Sequence, residues 1–285
     1  MSLFRTPPPE LAGAYAGAPF VPYAESLDVN WSDELESLHE ESSRDHFLDV
    51  WTRTALLDAL AASELPAAGP VILDAGCSSG YLLEDLRATY PDATLVGLDL
   101  VAAGLHRAHD GVPDAHLVLA DVCDLPLGDA TVDAVVSANL LEHVPDDRAA
   151  LAEMLRVLKP GGVAAIVIPA GPGVYDYYDR FLDHERRYGL RELANKGRAA
   201  GFDVERDAFL GSFIFPPFWL MKKRNRLLHD GIDDDEARAL VARSIDRTMG
   251  SRLGAASCAL ERTMLRHRLG LPFGIRGFTA LRRPS

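Results

Sequence analysis

Residues 71–90 read VILDAGCSSGYLLEDLRATY and contain two different hydrophobic patterns joined by a glycine-rich turn. VILDA is a continuous apolar run, which is typical of a strand buried on both faces. The segment from Tyr81 onward has apolar residues at helical spacing. The glycines between them allow a sharp turn and a close backbone approach to a ligand, and the helix start behind them offers free N–H groups. This segment therefore predicts a strand–turn–helix unit that binds a nucleotide-like molecule.

The alternation of strand and helix continues on both sides of this unit. Four further buried strands are predicted at TLVGLDL (94–100), HLVLADV (116–122), VDAVVSANLL (132–141) and VAAIVIP (163–169). Helical periodicity occupies residues 101–110, 146–158 and 191–202, and KPGG (159–162) is expected to be a turn. Strands predicted at 203–210 and 273–283 complete the pattern. Alternating strands and helices predict an α/β fold, with a largely parallel Rossmann-like sheet and helices on both faces.

The chain divides into three parts on this interpretation. Residues 1–68 are expected to form an N-terminal arm, extended up to about residue 30, followed by helices that begin at Ser32. The cofactor-binding core comprises residues 69–210 and 271–285. Residues 211–270 are too many for a structureless loop, and residues 234–268 have helical periodicity. We expect this part to be a helical cap inserted between the last two strands.

Composition restricts the class of protein. The net charge is −13 and 48% of residues are hydrophobic, which argues against a disordered chain and against a nucleic-acid-coating surface. No apolar run is long enough for stable membrane insertion, and the proline-rich start does not resemble a signal peptide, so a cytoplasmic location is expected. The three cysteines fit neither a disulfide framework nor a zinc site, and no metal site is expected. The oligomeric state is left open.

Charge is unevenly distributed along the chain. Residues 1–220 carry a net charge of −20 and residues 221–285 carry +7. Either the two parts attract each other within one fold, or the basic part faces an acidic or phosphorylated partner.

Three acidic residues lie at the ends of consecutive predicted strands. Asp74, Asp99 and Asp121 would meet at the carboxyl edge of a parallel sheet, where such sheets bind ligands. Asp74 would repel a pyrophosphate but attract an ammonium group, and Asp99 is placed to accept both hydroxyls of a ribose. Each acid alone is equally compatible with a helix cap or a turn. Together they favour a nucleoside that carries an amino acid.

These segments, together with LLEHVPD (140–146) and LKPGG (158–162), make the chain resemble the class I S-adenosylmethionine-dependent methyltransferases. The resemblance implies S-adenosylmethionine as cofactor. It places Asp74 at the ammonium group and Asp99 at the ribose. One residue departs from the family pattern, because Ser78 stands where many members of the family have glycine. The other positions that it implies at the cofactor are Gly76, Cys77, Gly80, Leu100, Asp121, Val122, Asn139 and Leu140.

The residues expected at the acceptor follow the fourth and fifth predicted strands. His143 and His184 are candidate general bases. Alternatively, their side chains only form hydrogen bonds to loops. The segment around HERRY (184–188) resembles one found in methyltransferases of glycan and natural-product pathways. Its Arg187 can bind a carboxylate or phosphate, or pin the loop. Tyr175, Tyr178 and Tyr188 are predicted to contact the acceptor, and Tyr23 to close over the cofactor.

The aromatic segment GSFIFPPFWLM (211–221) contains two prolines and is therefore not expected to form a regular helix interior. Phe215 and Trp219 are predicted to line an apolar acceptor pocket. Packing of the cap onto the sheet and contact with a membrane surface are the alternatives.

These observations predict an enzyme that methylates a small-molecule acceptor of natural-product, glycan-related or lipid-like type. SANL (137–140) replaces the Asn/Asp-Pro-Pro-Tyr/Phe segment of nucleic-acid amine methylation, which disfavours nucleic-acid partners. The alternative is a protein of the same fold that transfers no methyl group, such as a cofactor-bound isomerase or cyclase, or a regulatory binding protein. A nicotinamide enzyme is disfavoured because Tyr188 is followed four residues later by Glu192 rather than lysine.

Overall fold

The computed structural model describes residues 3–26, 44–228, 251–267 and 269–285, and the single positions 232, 236 and 240. Within these residues the chain forms one eight-stranded sheet. Its strands are β1 (Val21–Pro22), β2 (Val71–Ala75), β3 (Thr94–Asp99), β4 (His116–Leu119), β5 (Val132–Ala138), β6 (Leu158–Pro169), β7 (Asp203–Leu210) and β8 (Arg276–Arg282).

The strand order is β1-β4-β3-β2-β5-β6-β8-β7. The first six strands in this order are parallel, while β8 runs antiparallel between β6 and β7. From β2 the chain first builds outward through β3 and β4, and then returns to the other side of β2 with β5. This reversal makes the carboxyl ends of β2 and β5 the place where an open α/β sheet binds a ligand.

Helices cover both faces of the sheet. The described helices are Pro9–Ala14, Phe47–Ala62, Tyr81–Thr89, Ala102–Gly111, Asp147–Val157, Tyr177–Phe181, Glu192–Ala200, Phe215–Leu228 and Arg252–Arg266, with a 3-10 turn at Pro172–Val174. One apolar core packs Trp51 and Leu56 against Ile72 and Leu83, and the other packs Leu151 and Tyr188 on the opposite face. The predicted α/β sheet with helices on both faces is confirmed.

The N-terminal arm differs from its prediction. It is not simply extended, because it contains the helix Pro9–Ala14 and contributes β1 to the edge of the sheet beside β4. The helix start predicted at Ser32 lies outside the described residues.

The predicted turn at KPGG is wrong, because β6 runs continuously through it. Gly161 has φ +77°, and the pairing of β5 with β6 shifts register between Val132 and Ala134. An irregularity in a strand thus replaces the turn, as glycines in β-bulges commonly do.

The aromatic segment, which was not expected to form a regular helix interior, instead supplies the start of a helix. Phe215–Leu228 is helical, with Pro216 and Pro217 in its first turn. The N–H groups of a first turn have no partner inside the helix, so proline costs little there.

The two described helices of the inserted part lie in different places. Phe215–Leu228 contacts the 3-10 turn that follows β6, whereas Arg252–Arg266 packs on the helix Phe47–Ala62. Most of residues 229–250 lie outside the description, so the predicted cap stays a prediction as a whole.

Candidate active site

The turn after β2 is held in a conformation that glycine and hydrogen bonds make possible. Gly76 and Gly80 have φ values of +79° and +85°, in the region that favours glycine. The N–H groups of Gly76 and Cys77 both donate to the carbonyl of Leu98, at 2.8 and 2.9 Å. Gly80 then precedes the helix Tyr81–Thr89. The turn therefore brings a helix N-terminus to the carboxyl edge of the sheet.

Side chains larger than hydrogen would not fit at these two glycines. A Cβ atom on Gly80 would lie 2.8 Å from Ala108, and one on Gly76 would lie 3.0 Å from the side chain of Leu140. The turn after β2 is therefore packed directly against the residues that follow β5.

Asp74 has a buried carboxyl group without a hydrogen-bond partner in the described structure. Its side chain is 1% exposed and neither oxygen is paired. Burial, and to a lesser extent the charge of Asp99, raise its pKa to about 8. Such a group has a strong preference for a cationic neighbour.

Asp99 fixes the turn as well as ending β3. Its two carboxylate oxygens accept hydrogen bonds from the N–H groups of Ser78, at 2.8 Å, and Val101, at 2.9 Å. Burial raises its pKa, and these backbone hydrogen bonds oppose that shift. Ser78 has φ +45°, a conformation that glycine adopts more easily, so glycine at this position would carry less backbone strain.

The residues after β4 lie beside the arm. Asp121 is exposed and accepts a hydrogen bond from the N–H of Cys123 at 2.8 Å, whereas the Val122 side chain is buried. Tyr23 lies against the end of β4, since its N–H donates to the carbonyl of Leu119 at 2.8 Å. Its hydroxyl donates to the carbonyl of Arg5 at 2.6 Å, so the ring is tied to the arm.

The remaining predicted cofactor positions also lie at this edge of the sheet, but the side chain of Cys77 points away from it into the core. Leu100 is half-buried after β3, and Asn139 follows β5 with φ +51° and donates its N–H to Val167 at 2.8 Å. The Cys77 side chain is buried in the core, where its sulfur lies close to Gly97. Only the backbone of Cys77 is therefore placed to meet a ligand.

Two loops at the same edge are joined to each other by hydrogen bonds. The N–H of Glu185 donates to the carbonyl of Glu142 at 2.8 Å, and Arg186 donates to the carbonyl of Val144 at 2.9 Å. This pairing brings the rings of His143 and His184 into edge-to-face contact, with centroids 4.7 Å apart. The structure thus places the two predicted catalytic histidines side by side.

Asp179 is the centre of a buried network behind His184. It lies 3.1 Å from His184 Nδ1 and 2.6 Å from Arg187 Nε, and Lys222 Nζ approaches it at 3.2 Å. Burial alone would raise its pKa, but His184, Arg187 and Lys222 outweigh that effect and hold the pKa below its usual range. Lys222 also contacts Asp176 at 2.6 Å.

Two of the predicted acceptor contacts are corrected by this geometry. Tyr188 is 1% exposed, and its hydroxyl lies 2.7 Å from Asp147 and 3.1 Å from the carbonyl of Leu141, so it belongs to the core. Arg187 is buried and binds Asp179 and the carbonyl of Ala170, so it pins the loop. Neither side chain is offered to a ligand in this arrangement.

The predicted aromatic contacts separate into different environments. Tyr175 donates its hydroxyl to the carbonyl of His184 at 2.6 Å, and Tyr178 lies beneath the ammonium group of Lys222. Phe215 packs on Phe273, whereas Trp219 is 44% exposed. Of these four predicted residues, Tyr175 hydrogen-bonds the histidine loop, whereas Tyr178 contacts Lys222 of the helix Phe215–Leu228.

Three functional candidates were missed by the sequence analysis. They are Glu142, which is buried without a hydrogen-bond partner among the described residues, and the partners Asp179 and Lys222. Burial raises the pKa of Glu142 to about 8. Asp176 and Asp179 have the spacing of a helix N-cap residue and the third residue of that helix. This capping pattern is the feature of the sequence that indicates Asp179.

The chain is similar in sequence to known methyltransferases. Residues 73–166 match the methyltransferase domain family. The chain is 33% identical to a probable S-adenosylmethionine-dependent methyltransferase of Mycolicibacterium smegmatis, over 48% of this chain and 54% of that protein. It is 29% identical to a malonyl-[acyl-carrier protein] O-methyltransferase of Dechloromonas aromatica, over 71% of this chain and 77% of that one.

A solved structure has the same fold. Haemonchus contortus phosphoethanolamine N-methyltransferase 2 in complex with S-adenosyl-L-methionine superposes with a TM-score of 0.59 at 16% identity, covering 90% of this chain and 58% of that one. The matches to the first curated relatives span only about half the length of those proteins. The strand order, the glycine turn with its acids and the methyltransferase domain matched over residues 73–166 together support a class I S-adenosylmethionine-dependent methyltransferase.

Proposed function

We propose that this protein transfers the methyl group of S-adenosylmethionine to a small-molecule acceptor held between the turn after β2 and the His143–His184 pair. The observation that carries the proposal is the buried, unpartnered carboxyl group of Asp74 at the switch point of the sheet. When bound, the cofactor supplies an electrophilic methyl group on a sulfonium.

The residues of the turn fit this cofactor chemically. The cofactor's ammonium group would give the buried carboxyl group of Asp74 the positive partner that it lacks among the described side chains. Asp99 has oxygens that keep further lone pairs for ribose hydroxyls after accepting two backbone N–H groups. Gly76 and Gly80 present no side chain at their own positions in the turn, and Leu140 beside Gly76 offers an apolar surface.

The acceptor end is proposed from the position of the two histidines. His143 follows Leu140 closely, and its N–H donates to the carbonyl of Leu140 at 2.9 Å. Leu140 in turn contacts the glycine turn, so the imidazoles lie along the same edge as the proposed cofactor position. Displacement at a sulfonium requires an aligned nucleophile above all, and these loops would provide the alignment.

A small acceptor is supported by two named proteins. The relative from Dechloromonas aromatica is named for O-methylation of malonyl-[acyl-carrier protein], and the solved neighbour for N-methylation of phosphoethanolamine. The malonyl group is small although a carrier protein bears it, and phosphoethanolamine is a small molecule. Within the described residues, no helix has the length and apolar character needed to cross a membrane.

Methyl transfer can be tested with cofactor labelled on the methyl group. The full chain is incubated with a panel of phenols, amines and carboxylic acids, with DNA and RNA as separate acceptors. We expect label in a small molecule and none in nucleic acid. His184→Ala should lower turnover at least tenfold while cofactor affinity stays within about twofold, and the exposed His267 provides the control variant His267→Ala.

The same experiment separates the alternative function. A protein that binds the cofactor and converts a substrate without moving label would be a non-transferring member of the fold. Label incorporated into nucleic acid, or full turnover in His184→Ala, would contradict the proposed acceptor site.

A further inference from the structure

The two loops that join at the carboxyl edge bring together three groups that ligate metals. Glu142 and His143 come from the turn after β5, and His184 comes from the loop after β6. One ligand atom from each residue lies within 4.8 Å of the others. Two imidazoles with one carboxylate are a ligand set for divalent transition metals.

Glu142 gives the first independent reason to expect a cation. Its side chain is 1% exposed, and neither oxygen has a hydrogen-bond partner in the described structure. The nearby guanidinium groups are committed elsewhere, because Arg187 binds Asp179 and Arg276 binds Asp49. A buried carboxylate without a bound partner is costly, and a coordinated cation removes that cost.

His184 is oriented as metal-binding histidines usually are. Its Nδ1 lies 3.1 Å from Asp179 Oδ1, so a proton on Nδ1 is shared with that carboxylate and the lone pair remains on Nε2. Asp179 is held in turn by Arg187 and Lys222. A carboxylate behind the ligating imidazole fixes the tautomer and the ring orientation of a metal ligand.

His143 lies at the open side of the cluster. Glu142 is buried, but His143 is exposed, so an ion bound here would keep positions accessible from the crevice. Ligand atoms around a tetrahedral zinc ion lie about 3.4 Å apart at bond lengths near 2.1 Å. Because the ligand atoms lie within 4.8 Å of one another, binding would draw them together by at most about 1.4 Å, a shift that side-chain rotation can supply.

We propose that Glu142, His143 and His184 form a binding site for a divalent transition-metal ion such as Zn²⁺, with open positions facing the acceptor. This assignment replaces the sequence-based prediction of no metal site. It also replaces the prediction of a histidine base, because an imidazole lone pair that coordinates the ion cannot accept a proton. An acceptor oxygen is the natural further ligand. That last role rests on the proposed function, whereas binding of the ion itself does not.

The site can be tested with Co²⁺ and Zn²⁺ alone, without cofactor or acceptor. The full chain is freed of metal with a chelator, exchanged into chelator-free buffer and titrated with Co²⁺, while the visible absorption of the bound ion is recorded. Zn²⁺ affinity is measured by calorimetry. We expect one ion per chain, a visible spectrum typical of nitrogen and oxygen ligands, and displacement of Co²⁺ by Zn²⁺.

Variants identify the ligands. Glu142→Gln, His143→Ala and His184→Ala should each weaken Zn²⁺ binding at least tenfold, while His267→Ala should leave it unchanged. Because His143 is exposed, His143→Ala should keep the fold, and circular dichroism confirms this for each variant. Absence of stoichiometric binding, or binding equal to wild type in folded His143→Ala, would overturn the site. Cofactor binding measured separately keeps this outcome distinct from failure of the proposed function.

Discussion

Asp74 is an ionisable side chain that the fold buries beside another acid. Burial and the charge of Asp99 raise its pKa to about 8, against an ordinary value of 3.8. The folded protein therefore binds more protons than the unfolded chain between about pH 4 and pH 8, and the free energy of unfolding falls as the pH rises through this range. An acid that costs stability in the free protein is expected where a ligand uses it.

Asp74→Asn should remove this cost. We expect the variant to gain stability relative to wild type as the pH rises from 5 to 9, by on the order of a few kcal/mol at the upper end. Urea unfolding at three pH values, without cofactor, measures the difference. Asp92→Asn, at an exposed position, is the control. A difference between Asp74→Asn and wild type that does not change with pH would show that Asp74 titrates normally.

Single residues of the cofactor turn were predictable because the signal is local. Asp74, Gly76 and Gly80 share one short segment, and Asp99 ends the next strand, so the sequence places them together. Tyr188 and Arg187 were wrongly predicted as acceptor contacts. The burial of Tyr188 and Arg187 is decided largely by Asp147 and Phe218, which come from other parts of the chain, and by Asp179, whose contact with Arg187 depends on how the intervening loop folds.

At the scale of elements, the helix Phe215–Leu228 is attached to the acceptor loops by one buried cation. Lys222 is 3% exposed and contacts Asp176 and Asp179 at 2.6 and 3.2 Å. Asn225 adds a hydrogen bond to Asp176 at 3.3 Å. This helix therefore supplies counter-charge to Asp176, which caps the helix Tyr177–Phe181, and adds to that of Arg187 at Asp179, which holds His184.

Lys222→Ala should lower the free energy of unfolding by about 3–5 kcal/mol, because it leaves buried carboxylates short of a partner. The neighbouring Lys223→Ala is the matched control, since Lys223 is exposed and its loss should cost at most about 1 kcal/mol. Urea denaturation of both variants measures the difference. Equal stability of the two variants would mean that the Lys222 network does not hold the loops.

Element prediction failed where backbone chemistry permits two outcomes. Proline excludes a helix interior but not a first turn, so the aromatic segment at 211–221 begins a helix after all. Glycines in KPGG suit a turn and an irregular strand equally, and pairing of β6 with β5 and β8 selects the strand. Sheet pairing partners are distant in sequence, which is why the local pattern left this choice open.

On the scale of the whole molecule, basic residues of the C-terminal part form ion pairs with acidic residues of the preceding part of the chain. Arg262 and Arg266 of the basic C-terminal part bind Asp58, Arg276 binds Asp49, and Arg282 binds Glu205. These pairs support attraction between the two parts of the chain, one of the two explanations considered for the charge pattern. They connect the helix Arg252–Arg266 and β8 to the helix Phe47–Ala62 through Asp58 and Asp49, and β8 to β7 through Glu205.

The architecture concentrates the candidate site at one edge. Strand β2 lies between β3 and β5, so Asp74, Asp99 and Asn139 all end neighbouring strands at the point where the chain reverses its direction of growth. The sequence allowed this edge to be predicted because strand ends are local features. The meeting of Glu142 with His184 could not be predicted, because it depends on pairing between two loops.

Calorimetric titration of the full chain with S-adenosylmethionine tests the central claim, that this edge binds the cofactor, most directly. We expect wild type to bind one equivalent with micromolar affinity, about −8 kcal/mol. Asp99→Asn should weaken binding by about 1.5–3 kcal/mol, roughly tenfold to a hundredfold, through loss of charged hydrogen bonds to the ribose. Asp92→Asn should bind like wild type. Unchanged affinity in a folded Asp99→Asn protein would contradict the account.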